Sequence, residues 1–190
     1  MKKEIAWVTI TSAMALRDWL DEHHAQQESV WLVTYKKADQ ECYVSRDEVL
    51  DALLSYGWID GVRKKLDADK TMQLISPRKA QHWALSYKKR VELLREKGLM
   101  HDAGEAAIRH SKALGLWDFM DDVDRLIIPE DLKKALDVFP AAAHFFTHIN
   151  PSSKRFVLRW LKLSKTAKTR QVRIDKLVAL SREEKKLPGS

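Results

Sequence analysis

Apolar positions near the start of the chain follow first a helical and then a strand period. Leu16, Trp19 and Leu20 recur at helical spacing and predict a helix over about 12–24. The β-branched and aromatic run 29–36 is typical of a strand. The first elements predicted are therefore one helix followed by one strand.

A second helix and a hairpin are predicted next. Ser45 followed by Glu48 has the spacing of a capping box, and Gly57 has the position of a C-terminal glycine. The segments 58–67 and 71–77 predict two strands, because a polar turn separates two apolar, β-branched stretches.

From residue 80 onward the pattern predicts helices only. We expect Ser86 and Asp102 to begin two helices that close at Gly98 and Gly115. Three prolines have the position of a first helical residue: Pro129, Pro140 and Pro151. A last helix is predicted over about 168–181.

The predicted fold class is α+β. A small antiparallel or mixed sheet with helices forms the N-terminal part, and a mostly α-helical C-terminal half follows it. We expect residues 1–80 to form a small α/β subdomain and residues 81–190 a helical one, both within one compact domain.

Composition favours a cytoplasmic protein. The chain has 190 residues, 45% of them hydrophobic, and its single cysteine, Cys42, excludes an internal disulfide. Polar residues such as Thr9 and Arg17 interrupt the N-terminal segment before it reaches the apolar length of a signal peptide. The sequence contains no apolar run of membrane-spanning length, so we expect no membrane span.

Positive charge is concentrated at the end of the chain. Residues 151–190 hold 12 Lys and Arg against 3 Asp and Glu, whereas residues 1–150 hold 22 against 24. This asymmetry indicates an anionic partner such as nucleic acid, a phosphate group or a membrane surface.

A first candidate site surrounds the segment GWIDG at 57–61. We expect Asp60 and Arg78 to approach across the hairpin, with Trp58 and Trp83 as the walls of a cleft for a flat anionic ligand. The alternative is that Asp60 and Arg78 form a structural ion pair and that both tryptophans belong to the core.

A second candidate site is the basic run 162–173, which we expect to be helical. Lys162, Lys165 and Thr169 are predicted to share one helix face, and Thr166, Arg170 and Arg173 another. Of these, Lys165, Thr169, Arg170 and Arg173 are the expected contacts for an anion or nucleic acid. The alternative is a solvated face whose long basic stems cover apolar surface.

No metal site, cofactor or catalytic motif is predicted. His144 and His148 have helical spacing but lack the glutamate of a zincin motif. We therefore expect a protein that is not an enzyme, while an enzyme acting on a small anionic substrate at Asp60 and Arg78 stays an alternative.

Several segments in one order resemble the YdeI/OmpD-associated family of bacterial proteins, from about residue 12 to residue 180. They are WLVTYKK, YGWIDG, SPRK with a tryptophan soon after, KGLMHDAGEAAI, GLW and RWLKLSKTAKTRQVRI. Where this chain has Ser-Tyr-Gly-Trp at 55–58, family members more often have Cys-Phe-Gly-Trp. Where this chain has Trp83-Ala84, family members usually have a sequence closer to Trp-Ser.

The resemblance implies a bacterial protein whose family label refers to bacteriocin protection or to association with an outer-membrane porin. It implies no catalytic residues. The N-terminal segment argues against a porin partner, because that partner would require a signal peptide. The sequence does not indicate an oligomeric state.

Three functional hypotheses follow. The first is a non-enzymatic binding or stress-response module with an anion-binding surface, in which Arg170 or Arg173 folds back to face Asp60. The second is a nucleic-acid-binding protein that uses its basic C-terminal helices. The third is the enzyme at Asp60 and Arg78.

Overall fold

The computed structural model describes residues 4–190 and has the α+β fold that the sequence predicts. Its elements follow in this order: β1 (Trp7–Thr9), α1 (Ala13–His23), β2 (Val30–Tyr35), α2 (Arg46–Ser55), β3 (Trp58–Lys65), β4 (Lys70–Pro77), α3 (Leu85–Glu96), α4 (Asp102–Ala113), α5 (Asp121–Asp124), α6 (Glu130–Asp137), α7 (Pro140–His148), α8 (Pro151–Lys162) and α9 (Ala167–Arg182).

The four strands form one mixed sheet in the order β1-β2-β4-β3. β1 is parallel to β2, whereas β2 and β3 are both antiparallel to β4. The predicted hairpin turn is confirmed, since Asp67 Oδ1 accepts the backbone N–H groups of Asp69 at 2.8 Å and Lys70 at 2.7 Å. The short strand β1 was not predicted, because three residues are too few to display a period.

Capping residues set the helix starts, with two differences from the sequence prediction. Ser45 and Glu48 form the expected capping box at α2. However, α3 begins one residue before Ser86, after Ala84. At α4 the cap is His101, whose Nδ1 accepts the backbone N–H of Ala103, and Asp102 is the first helical residue.

Two glycines allow α4 to lie against the end of α2. Gly57 follows α2 with φ +73°, a conformation that other residues rarely adopt. At Gly104, a Cβ atom would lie only 2.1 Å from the carbonyl oxygen of Ser55. The helices approach so closely only because residue 104 has no side chain.

The chain divides into two compact units. The first ends at Asp118 and the second covers Phe119–Ser190. The change from strands to helices near residue 80 therefore lies inside the first unit. The reason is packing: Trp83, Val91 and Ile108, from the segment after β4, share a core cluster with Leu54 of α2.

The first unit has two core clusters. One lies between the sheet and the helices α1 and α2, with Leu16, Leu32, Leu53 and Ile75 among its fully buried members. The other is the cluster of α2, α3 and α4 around Trp83.

The second unit is helical and has its own core, formed by residues such as Leu132, Phe146, Leu158 and Ile174. Pro140 and Pro151 are first helical residues as predicted, whereas Pro129 occupies the N-cap of α6. No helix within residues 4–190 has both the length and the apolar character needed to cross a membrane.

Candidate functional site

The two tryptophans of the first candidate site belong to the core. Trp58 and Trp83 are both 0% exposed, and they lie in different core clusters. The Trp58 Nε1–H donates to the carbonyl of His24 at 3.4 Å. Neither ring therefore presents a surface to a ligand in this structure.

Arg78 is held against aromatic rings beneath the surface. Its guanidinium carbon lies 4.0 Å from the centre of the Trp83 ring and 5.8 Å from that of Tyr87. Its backbone N–H donates to the carbonyl of Gly57 at 2.9 Å. Burial lowers the pKa of Arg78 to about 10, while Tyr87 and Asp60 act in the opposite direction.

Tyr87 connects Asp60 to Arg78, which the sequence analysis paired directly. The Tyr87 hydroxyl donates to Asp60 Oδ1 at 2.6 Å, and the same ring lies near the Arg78 guanidinium. The structure thus brings the two predicted charges into one cluster through a residue that the sequence analysis did not select.

A β-bulge in β3 determines where Asp60 points. Asp60 pairs with Ile75 and Arg63 pairs with Gln73, so β3 has one more residue than β4 between these pairs. In a regular strand, residues three apart face opposite sides of the sheet. The extra residue therefore places Asp60 and Arg63 on the same face, where bulges often position functional side chains.

That shared face borders a pocket of about 320 Å³, here called the α2–sheet pocket. Its lining comes from α2, β3 and β4: Arg46, Asp47, Val49, Leu50, Asp60, Gly61, Arg63 and Gln73. Of the four residues predicted for the first candidate site, only Asp60 lines it.

Hydroxyl groups hold Arg63 in this pocket. One Nη2 group donates to Thr71 Oγ1 at 2.9 Å and to Thr34 Oγ1 at 3.3 Å. Its Nε is buried and has no hydrogen-bond partner. Burial, and then the positive charge of Arg46, lower the pKa of Arg63.

The two carboxylates of the pocket have partners of their own. Arg90 of α3 binds Asp47, with Nη2 2.7 Å from Asp47 Oδ1, and Tyr87 binds Asp60. Among residues 4–190, Arg46 and Arg63 form no ion pair with a carboxylate. The α2–sheet pocket therefore contains two guanidinium groups that form no ion pair with any described carboxylate.

Sequence reasoning missed Arg46, Arg63 and Tyr87. One signal was available for Arg63, because a glycine inside a strand pattern, here Gly61, often marks a bulge. Nothing in the sequence marks Arg46 or Tyr87, since their positions depend on how α2 and α3 pack.

The second candidate site differs from the continuous helix that was expected. α8 ends at Lys162, and α9 begins at Ala167 after the N-cap Thr166, whose side chain accepts the backbone N–H of Thr169. Lys162 and Lys165 therefore do not share a helix with Thr169, contrary to the prediction. The reason is that the short polar segment 163–166 contains a strong capping residue.

The two arginines of this site have partners in their own unit. Arg170 binds Asp131 with two hydrogen bonds, of 2.5 Å from Nε and 2.9 Å from Nη2. Arg173 stacks on the Trp160 ring, 4.7 Å from its centre, and donates to the Trp160 carbonyl. Lys165 and Thr169 are exposed.

Asp131 is thus the partner of Arg170, in place of the Asp60 expected from the sequence. Arg170 lowers the pKa of Asp131, and Asp131 raises that of Arg170, as expected for a well-aligned pair.

No metal site is evident in the described part of the chain, because no three His, Cys, Asp or Glu side chains there are arranged to hold an ion. The rings of His144 and His148 contact one another at a tilt of 32°, with their centres 4.1 Å apart.

Comparisons with known proteins divide the chain in a similar way. Residues 8–107, more than half of the chain, match the family described as "Domain of unknown function (DUF8412)". Residues 125–184 match the family described as "Bacteriocin-protection, YdeI or OmpD-Associated". No curated protein and no solved structure matched the chain.

The fold and the two matches define an α+β protein with an N-terminal sheet unit and a C-terminal helical unit. The chain belongs to the DUF8412 family, whose match covers the sheet, α1–α3 and half of α4. The YdeI/OmpD-associated resemblance is confirmed for 125–184 only, because a different family matches the front of the chain.

Proposed function

We propose that this protein is a binding module that takes a small anionic ligand, bearing a phosphate or carboxylate group, in the α2–sheet pocket. The observation that carries the proposal is that Arg46 and Arg63 line the same pocket and that neither forms an ion pair with a carboxylate among residues 4–190.

A bound anion reduces the electrostatic repulsion between Arg46 and Arg63. Like charges in proximity oppose each other's ionised form, and Arg46 accordingly lowers the pKa of Arg63. An anion between the two guanidinium groups replaces this repulsion with charge-assisted hydrogen bonds. The two threonine hydroxyls already fix Arg63, so little side-chain freedom is lost on binding.

Asp60 limits which anions fit. It lines the same pocket, and its carboxylate disfavours a second negative charge next to it. A ligand with one anionic end at the arginines and a hydroxyl or ammonium group at Asp60 satisfies both regions of the pocket.

Isothermal titration with inorganic phosphate tests the proposal. Arg46→Ala is expected to weaken phosphate binding at least tenfold, because a hydrogen bond to a charged group contributes about 1.5–3 kcal/mol. Asp60→Asn is expected to tighten it, because the substitution removes a negative charge and keeps an acceptor for Tyr87.

Arg109→Ala is the matched control. Arg109 is an exposed arginine of α4 in the same unit, and it does not line the α2–sheet pocket. Equal losses of phosphate affinity in Arg46→Ala and Arg109→Ala would indicate that phosphate responds to the net charge of the protein and not to this pocket. That result would refute the proposal.

A second candidate function is nucleic-acid binding by the start of α9. Lys165, Lys168 and Thr169 are exposed together around the first turn of that helix. Lysines and hydroxyl groups in this arrangement are typical contacts to a phosphate backbone.

Fluorescence anisotropy with a labelled random-sequence duplex tests this second function. Binding is expected to weaken steeply between about 50 and 200 mM salt, and in the double variant Lys165→Ala, Lys168→Ala. Lys133→Ala and Lys134→Ala together, on α6, provide the control for charge. Absence of binding at the lowest salt concentration would exclude this function.

A further inference from the structure

The sheet of the first unit has a second face, opposite to the one that packs against α1 and α2. Residues paired across neighbouring strands point to the same side, and successive residues alternate. Trp7 pairs with Trp31, which in turn pairs with Leu74. The next residues along β2 and β4, Leu32 and Ile75, belong to the core shared with α1 and α2. We call the second face the outer sheet face, and the register assigns to it Trp7, Thr9, Trp31, Val33, Tyr35, Ile59, Lys64, Lys70, Met72, Leu74 and Ser76.

The outer sheet face exposes aromatic rings. Trp7 is 54% exposed, which is unusual for so large an apolar side chain, and Trp31 and Tyr35 are half-buried. At the centre of the face, the pair Val33 and Met72 is buried. Trp31 and Tyr35 lie four residues apart on β2, so their Cα atoms are about 13 Å apart along the strand. The face therefore presents flat rings at separate points, as a stacking surface does.

The charged side chains that the strands contribute to this face are lysines. Lys64 Nζ lies 5.5 Å from the centre of the Trp31 ring, and Lys70 Nζ lies 5.0 Å from that of Tyr35. The one acidic residue within the four described strands, Asp60, points to the opposite side of the sheet. Two ammonium groups therefore lie beside aromatic rings, and no carboxylate from a strand is on the same face.

We propose that the outer sheet face binds single-stranded nucleic acid, with bases stacked on its aromatic rings and phosphates bound by Lys64 and Lys70. Aromatic rings that stack on bases, combined with basic groups that contact the backbone, are the common means of binding single strands. Cation–π contacts at exposed sites are weak, so phosphates can compete for the two lysines. The bases of a duplex are stacked on one another, and we expect a single strand to bind more tightly than a duplex.

Charge favours this partner over a second copy of the chain. Two copies that met through this face would form an isologous interface, which brings the lysines of both copies together without a carboxylate from the strands. Nucleic acid supplies both the flat rings and the negative charge that complement the face. Because Asp60 and Arg63 lie on the opposite face, this site is independent of the anion site proposed above.

Fluorescence anisotropy with a labelled oligothymidylate of about 12 nucleotides tests the proposal, since this length is within the range of known single-strand sites. We expect saturable binding at about 50 mM salt that weakens as the salt concentration rises. An abasic strand of equal length keeps the phosphates and lacks the bases, so it is expected to bind more weakly. No saturable binding of the oligothymidylate, or equal binding of the abasic strand, would overturn the proposal.

Lys64 and Lys65 provide a matched pair for the charge contribution. Both are exposed, and as neighbours on β3 they point to opposite faces of the sheet. We expect Lys64→Gln to weaken oligothymidylate binding severalfold and to reduce its salt dependence, and Lys65→Gln to have little effect. Equal effects of the two substitutions would contradict the assignment to the outer sheet face.

Trp7→Ala tests the stacking contribution. We expect it to weaken oligothymidylate binding at least about fivefold, in line with the strength of base–aromatic stacking. Phe156→Ala removes an exposed ring of the second unit and is expected to leave the affinity unchanged. The double variant Lys165→Ala, Lys168→Ala is expected to keep its single-strand affinity, because it alters the start of α9. Equal effects of Trp7→Ala and Phe156→Ala, or loss of binding in the double variant, would refute this site.

Discussion

At the scale of single residues, the distinction that matters is between charges that have a partner and charges that do not. Arg170 is bound to Asp131 and Arg95 to Glu105, each through two nitrogen–oxygen contacts. Arg46 and Arg63 lack such partners among the described residues. The first kind of arginine contributes to stability, whereas the second kind is the one that we propose binds a ligand.

Replacing Arg170 should therefore lower stability. We expect Arg170→Ala to reduce the free energy of unfolding by about 1 kcal/mol, because it removes a two-point ion pair that is only partly exposed. Chemical denaturation at pH 7 measures this loss, and Lys168→Ala, an exposed residue on the same helix, serves as the control.

The pH dependence of this loss identifies Asp131 as the partner. Because Arg170 lowers the pKa of Asp131 in the folded state, the pair stabilises the fold above the ordinary aspartate pKa of about 4. This stabilisation disappears as the pH falls through the lowered folded-state pKa. The difference between wild type and Arg170→Ala should thus shrink in acid, and a constant difference would contradict the assignment.

At the scale of elements, close contact between α2 and α4 shapes the first unit. Their approach depends on Gly104, and the same end of α2 leads through Gly57 into the strand that carries Asp60. The geometry of the α2–sheet pocket therefore rests on how helices pack as well as on the sheet.

Adding one methyl group at this contact should be costly. Gly104→Ala is expected to destabilise the protein by about 2 kcal/mol, because the new Cβ meets backbone atoms that cannot rotate away. Helix propensity alone predicts the opposite sign, a gain of about 1 kcal/mol. Thermal unfolding decides between them, and a rise in melting temperature would contradict the close packing.

The exposed face of α4 provides the matched comparison. Ala106 is exposed, so Ala106→Gly changes helix propensity without changing a packing contact. We expect a loss of about 1 kcal/mol there.

The elements also show which parts of the fold can be predicted from sequence. The capping box at Ser45, the strand over 30–35 and the turn at Asp67 were predictable, because each depends on residues adjacent in the chain. The bulge that brings Asp60 and Arg63 to one face depends on pairing with β4, and pairing is a property of the folded sheet.

At the scale of the whole molecule, the basic C-terminal region is partly neutralised within its own unit. Residues 119–190 hold 15 Lys and Arg against 9 Asp and Glu, a smaller excess than that of 151–190 alone. Asp122 and Asp131 bind Lys162 and Arg170. The charge asymmetry seen in the sequence was correct, but its neutralising partners could not be located before the fold was known.

The two candidate functions use different units and should therefore be separable. In the full chain, Lys165→Ala with Lys168→Ala is expected to abolish duplex binding and leave phosphate affinity unchanged, whereas Arg46→Ala is expected to do the reverse. Calorimetry and anisotropy on the same protein preparations measure both. Loss of both activities in either variant would contradict separate sites.

The most direct measurement is an NMR titration with inorganic phosphate that follows the arginine side-chain N–H signals. We expect saturable shifts for Arg46 and Arg63, with one common dissociation constant, and no such shifts for Arg109. If all arginine signals shifted together in proportion to phosphate concentration, or if other signals saturated while those of Arg46 and Arg63 stayed unchanged, the α2–sheet pocket would not be an anion site.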